Sequence, residues 1–146
     1  MFKSTLSASM LALSMAVSPF VLADGHGHAK QTASPEGASV YIISPKDGDT
    51  VETTFKVKFG LSGMGVAPAG TEKTNTGHHH LLIDGKVPDM NQPLGANVKH
   101  FGGGQTESEV TLEPGQHSLQ LILGDHMHVP HNPPVMSDVV TVTVKY

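Results

Sequence analysis

The sequence predicts an all-β fold, an antiparallel sandwich of about seven strands with an immunoglobulin-like or cupredoxin-like architecture. Three observations point there. Apolar residues recur at every second position in several short runs, Gly, Pro and Asp clusters separate those runs, and no stretch of ten residues keeps a helical period. The run "TFKVKFGL" illustrates the pattern: Phe55, Val57, Phe59 and Leu61 fall on one face, and Lys56 and Lys58 on the other.

Met1 to Ala23 reads as a signal peptide, with Lys3 followed by the apolar run "LALSMAVSPFVLA" and small residues before the expected cleavage point. That run is too short, and too broken by Ser and Pro19, to stay in a bilayer as a helix. The mature chain is therefore expected to begin at Asp24 and to be periplasmic or secreted, with no membrane span after cleavage. Residues 24–38, "DGHGHAKQTASPEGA", carry no periodicity and are expected to form a flexible, His-containing arm. Residues 39–146 then form the single sandwich domain.

Within that domain the strand candidates are "VYIISP", "TFKVKFGL", "EVTLEP", "HSLQLIL" and "VVTVTVKY", with Leu119, Leu121 and Leu123 as a core-facing set. "PKDGD", "DGK" and "EPGQ" supply turns. Two connections, 62–77 and 87–105, are long and rich in Gly and Pro, and both flank histidines. Long ordered loops of this kind are often functional.

Composition removes several function classes. The chain has no arginine and a net charge of −4, which becomes −5 once Lys3 is lost with the leader. Nucleic acid is a poor partner for such a surface, because phosphate neutralisation needs clustered cations. With no cysteine, disulfides and thiolate metal ligands are excluded, and the core alone must hold the exported domain together.

The chemistry lies in the histidines. Eight of the ten fall inside the domain: His78, His79, His80, His100, His117, His126, His128 and His131. In a strand, "HHH" must split between two faces. His79 shares a phase with Leu81 and Ile83, the expected core face, which puts His78 and His80 on the outer or loop-end surface with Leu82. If "DHMHV" is extended, His126 and His128 share a side, and the turn forced by Pro130 brings His131 back beside them. Three imidazoles completed by His78, His80, His100 or a water suit Zn(II) or Cu(II), and Met64, Met127 or Met136 nearby would favour Cu(I). Asp125 and Glu72 are candidate partners for the imidazole N–H groups. His117, in phase with Leu119 and Leu121, is expected to be a satisfied core histidine. Cleavage after Ala23 would also create Asp24-Gly25-His26, whose amine, backbone nitrogens and imidazole offer a square-planar set for Cu(II).

The stretches "FGLSGMGVAPAGTEKTNTGHHHLLID", "HFGGGQTE" and "PGQHSLQLILGDHMHVPHNPPVMS" resemble the bacterial exported family catalogued as domain of unknown function forty-three ninety-nine. The resemblance covers about Val40 to Val144 and implies a single periplasmic β-rich domain marked by these histidine-bearing loops. It implies no activity, and the "DGHGHA" arm lies outside it.

Together these features favour a periplasmic metal-binding protein, copper before zinc, that sequesters or delivers its ion through the loop histidines, with a periplasmic protein as a possible partner. Two alternatives stand beside it. In one, the histidines form a metal-free hydrogen-bond network in an envelope interaction module. In the other, the domain is a zinc-dependent hydrolase or lyase with Glu72 or Asp125 as base; the absence of a recognisable carboxylate spacing or a "GxSxG" nucleophile weighs against an enzyme.

Overall fold

A computed structural model describes residues 29–146. The expected signal peptide, 1–23, and the Asp24-Gly25-His26 motif lie outside the described residues. Alternating sequence has become alternating burial. In β1 (Ser39–Ser44), Val40 and Ile42 face inward while Tyr41 and Ile43 stay exposed. In β3 (Thr54–Ser62), Val57 and Phe59 are buried between exposed lysines. β7 (Glu107–Thr111) pairs antiparallel to β3 and adds Val110, giving a three-stranded sheet in the order β1-β3-β7.

The long members of the second sheet are β5 (Thr76–Ile83), β8 (Gly115–Gly124) and β9 (Val140–Val144). The short ones are β2 (Thr50–Val51), β4 (Gly65–Val66) and β6 (Lys99–His100). The sheet runs in the order β2-β9-β8-β5-β4, with β6 also paired to β5. β2–β9 and β4–β5 are parallel pairs, and the remaining pairings are antiparallel. The fold is therefore the all-β sandwich that the periodicity predicts, with six strands of five or more residues and three two-residue additions among the described residues. Among the described residues, no helix is long and apolar enough to cross a membrane.

The core between the sheets contains Val40, Ile42, Val57 and Phe59 from one side, with Leu81, Leu119, Leu121, Leu123 and Val142 from the other. Each such aliphatic side chain contributes about 1.5–3 kcal/mol by leaving water. The six-stranded sheet is also covered on its outer face. There Leu82 and Ile122 pack with Leu94 and Val98 from the long connection after β5, and Met90 and Met136 close over them. This second cluster makes the outer face of β5 an interior.

Residues 29–38, expected to be a flexible arm, are instead tied to the domain. Ala33 bridges to Asn132, and the backbone of Ser34 donates to the Asn132 carbonyl at 3.2 Å. Polar residues without periodicity can still be ordered when their amides find partners on a neighbouring loop. The two long loops meet, the Ala69 amide donating to the Gly102 carbonyl at 2.8 Å, and the first also joins the loop after β8, the Gly70 amide donating to the His126 carbonyl at 2.9 Å.

His117 is satisfied as expected but stands at the rim of the sheet rather than in the core. Its ring bonds the Asp84 carboxylate through Nδ1 and donates to the Glu113 carbonyl from Nε2 at 2.8 Å. These bonds, that from Asp84 foremost, raise its pKa above the ordinary 6.5. Burial acts to raise Asp84, but the bonds from His117 and the Ser118 amide outweigh it and hold the carboxyl below its ordinary 3.8. A raised histidine stabilises fully below 6.5 and loses that contribution as pH climbs through its folded value. A lowered aspartate stabilises above 3.8 and loses its share as pH falls through its own folded value. The pair therefore contributes most between 3.8 and 6.5. Melting curves across that range and above it should show wild type exceeding His117→Gln by a margin that shrinks on the alkaline side. A margin that grows with pH would contradict the assignment.

Candidate metal centre

The register of β5 builds the site. His78 and His80, two residues apart, project from the outer face, while His79 projects into the core. Because the outer face is covered, both outward rings are fully buried, contrary to the expectation that they lie on a surface: His78 is 0 % and His80 1 % exposed. β6 pairs His100 directly opposite His80, so the two rings stand side by side with centroids 5.2 Å apart. β8 ends at Gly124, which is in register with His78, and the loop leaving it returns His128 to the same place. The four rings of His78, His80, His100 and His128 each offer one nitrogen, and all four nitrogens lie within 4.8 Å of one another.

Glycine makes the crowding possible. A Cβ on Gly124 would lie 2.7 Å from Cε1 of His80, and one on Gly102 would lie 2.7 Å from Nε2 of His100. Both rings therefore rest on bare backbone.

His78 Nε2 is 3.1 Å from His128 Nδ1 and 3.1 Å from His100 Nε2. His78 Nδ1 and both nitrogens of His80 are buried without a hydrogen-bond partner. Burial, and then the neighbouring His128 and His100 rings, push the His78 pKa down to about 4, against an upward pull from Asp125. Burial and then the His78, His100 and His128 rings push His80 down to about 3. His100 is lowered by burial and by His128. Around neutral pH, His78 and His80 are thus uncharged and keep a lone pair free, the protonation state a metal ligand requires. With a metal–nitrogen bond of about 2.0–2.1 Å, tetrahedral ligand nitrogens sit roughly 3.3–3.4 Å apart, close to the spacing seen around His78 Nε2.

The remaining sequence candidates fall elsewhere. "DHMH" is a tight turn, not a strand, because Asp125 Oδ1 accepts from the amides of Met127 at 2.9 Å and Val129 at 3.0 Å. The turn separates His126 from His128, and His128 takes a left-handed backbone with φ 65°. His126 instead lines a cavity of about 340 Å³ together with Glu72, Thr71 and Lys30. His131 does not return beside His128. It is buried and packs against Gly77, donating from Nε2 to the Thr76 carbonyl at 3.2 Å. Met64 packs against the main core, Met136 against the outer cluster, and Met127 is 60 % exposed. Asp125 shapes the loop under His128, and Glu72 lies with His126.

Residues 57–145, which contain all four converging histidines, match the family described as Domain of unknown function (DUF4399). The chain belongs to this family. The match begins inside β3, so β1 and β2 of this DUF4399 protein precede it. No curated protein matches the chain. Among solved structures, it is similar at 16% identity and a TM-score of 0.37 to the fibronectin(III)-like modules of Clostridium thermocellum CbhA, over 72% of this chain and 92% of that one. It is also similar at 14% identity and a TM-score of 0.37 to the PKD domain of human KIAA0319, over 92% of each chain.

His79 stands apart from the site. Its ring packs 5.1 Å from Phe59 in the core and is 0 % exposed, and apart from a contact with the Gln105 backbone too poorly aligned to count as a full hydrogen bond, neither nitrogen has a partner. An unpartnered buried polar group costs about 1–3 kcal/mol. His79→Leu, of similar volume, should therefore raise the melting temperature and leave ion binding unchanged, since it lies on the opposite face from His78 and His80. Thermal melts with and without added ion check this; a loss of stability would mean that the imidazole has a partner in solution.

Proposed function

We propose that this protein is an exported metal-binding protein, copper before zinc, that sequesters or delivers its ion through His78, His80, His100 and His128. One observation carries the reading. His78 Nε2 meets two other ring nitrogens at 3.1 Å. An imidazole nitrogen has either one hydrogen or one lone pair in the ring plane, so a proton can satisfy only one of those contacts. A cation placed among the nitrogens satisfies both, and it gives His80 the partner it lacks. The four donors that converge are imidazole nitrogens, with no carboxylate among them, which favours Cu(II) and Zn(II). Copper heads the affinity order for such ligands.

The buried pair forms the base of the site. His100 is exposed and His128 half-buried, so the open side lies between them. Exchange with a periplasmic donor or acceptor protein would occur there. A metal-free histidine network is the second reading, supported by the His78–His128 contact, but it leaves both nitrogens of the buried His80 without a partner. Native mass spectrometry of the full chain, titrated separately with Cu(I), Cu(II) and Zn(II), separates the two. Retention of one ion supports the metal reading, and no retained ion from any of the three titrations supports the network.

A further inference from the structure

The segment just before the sandwich is bound to the two loops that hold the fourth histidine. The Gln31 side-chain amide donates to the Met90 carbonyl at 2.7 Å and to the Pro130 carbonyl at 3.1 Å, joining the long connection after β5 to the loop after β8. Thr32 Oγ1 donates to Asp125 Oδ2 at 3.2 Å, and the Thr32 carbonyl accepts from the Asn132 amide at 2.9 Å. The Ala29 amide adds a bond to the Asn91 carbonyl at 3.1 Å. These contacts bracket His128, between Asp125 on one side and Pro130 on the other. The His128 carbonyl is itself held by the Leu94 amide at 2.8 Å, from the same connection that Gln31 and Ala29 grip.

We propose that residues 29–34 act as a strap that positions His128 and so sets how tightly the ion is kept; this rests on the metal reading of the four histidines. The physical need is visible at His128. Its left-handed backbone is one that a non-glycine residue holds only when its surroundings enforce it. Asp125 does so by gathering the amides of Met127 and Val129 on Oδ1, and Thr32 fixes the other oxygen of the same carboxylate. Gln31 fixes the far end of the loop. With the strap displaced, Asp125 can turn and the loop can open, which withdraws His128 from the exposed side of the site. His78 and His80 remain, held by the sheet. Displacement of the N-terminal strap is thus a route to ion release that leaves the sandwich intact.

The test uses the full chain carrying Gln31→Ala with Thr32→Val, compared with wild type and with Thr32→Ser, which keeps the hydroxyl. Hydrogen exchange of the Met127, His128 and Val129 amides is read without metal, and Cu(II) and Zn(II) affinities are read by competition titration. The double variant should exchange at those amides at least about tenfold faster, and bind the ion about 10–100-fold more weakly at unchanged stoichiometry, the usual loss when a group that orients a ligand is removed. Thr32→Ser should match wild type, which a general loosening of the fold would not predict. Unchanged exchange and unchanged affinity in the double variant would overturn the strap. If wild type itself binds neither ion, the metal reading fails, and exchange alone then decides whether the strap holds the loop.

Discussion

Saturating Cu(II) should raise the melting temperature of the full chain by roughly 10 °C, and His100→Ala combined with His128→Ala should erase that rise. An ion present at about 100 to 1,000 times its dissociation constant adds about 2.7–4.1 kcal/mol to the folded state by mass action. Each kcal/mol moves the midpoint of a domain of this size by about 2–8 °C. The two rim histidines are the right ones to remove, because one is exposed and the other half-buried. Their loss should leave the apo fold nearly unchanged, whereas truncating the buried His78 or His80 would also open a cavity. Thermal melts of both proteins with chelator and with metal provide the comparison. A rise that persists in the double variant would locate binding elsewhere.

Gly124→Ala should destabilise the domain by about 1–3 kcal/mol, the usual cost of overpacking a filled interior, and should abolish tight ion binding as well. The new methyl would lie 2.7 Å from Cε1 and 3.1 Å from Nδ1 of His80, whose ring is fully buried, and 3.3 Å from the His128 backbone. Denaturant unfolding of Gly124→Ala, His80→Ala and the double variant tests the cause. If the main clash is with the ring, the two changes should be strongly coupled, with most of the strain relieved once the imidazole is gone and only the tight 3.3 Å approach to the His128 backbone left. Additive losses would place the strain elsewhere in the backbone.

Much of the fold could be read directly from periodicity. "TFKVKFGL" and "HSLQLIL" became β3 and β8, with the predicted residues inside, because alternation over several positions leaves a strand little choice of face. β2, β4 and β6 were not legible, since two residues carry no alternation and each exists only because a longer strand offers it an edge. The site divides along the same line. That His78 and His80 share a face, opposite His79, follows from strand geometry alone. That this face is interior does not; the one local sign was Leu82 in phase with the two histidines, and its cover comes from Leu94 and Val98, more than ten residues downstream. His100 could be nominated but not placed, because β6 is among the unreadable strands.

The loop after β8 shows how a single side chain overrides a pattern. "DHMHV" has strand-like spacing, and a strand would have joined His126 to His128. Asp125 instead bonds two amides of its own loop, which is cheaper for an aspartate beside a glycine than extending the ladder. The resulting turn keeps His128 at the site and sends His126 away. Likewise, the Gly- and Ala-rich residues before the domain looked unstructured because their partners, Met90, Pro130 and Asn132, are distant in sequence.

X-ray absorption at the copper edge of the Cu(II)-loaded full chain would count the imidazoles around the ion. Four nitrogen neighbours at about 2.0 Å, with the outer-shell scattering of imidazole rings, and no such copper signal in the His100→Ala, His128→Ala protein treated alike, is the result expected from convergence of His78, His80, His100 and His128. A spectrum with no imidazole scattering, or copper still bound in an unchanged environment by the double variant, would contradict a four-histidine metal centre.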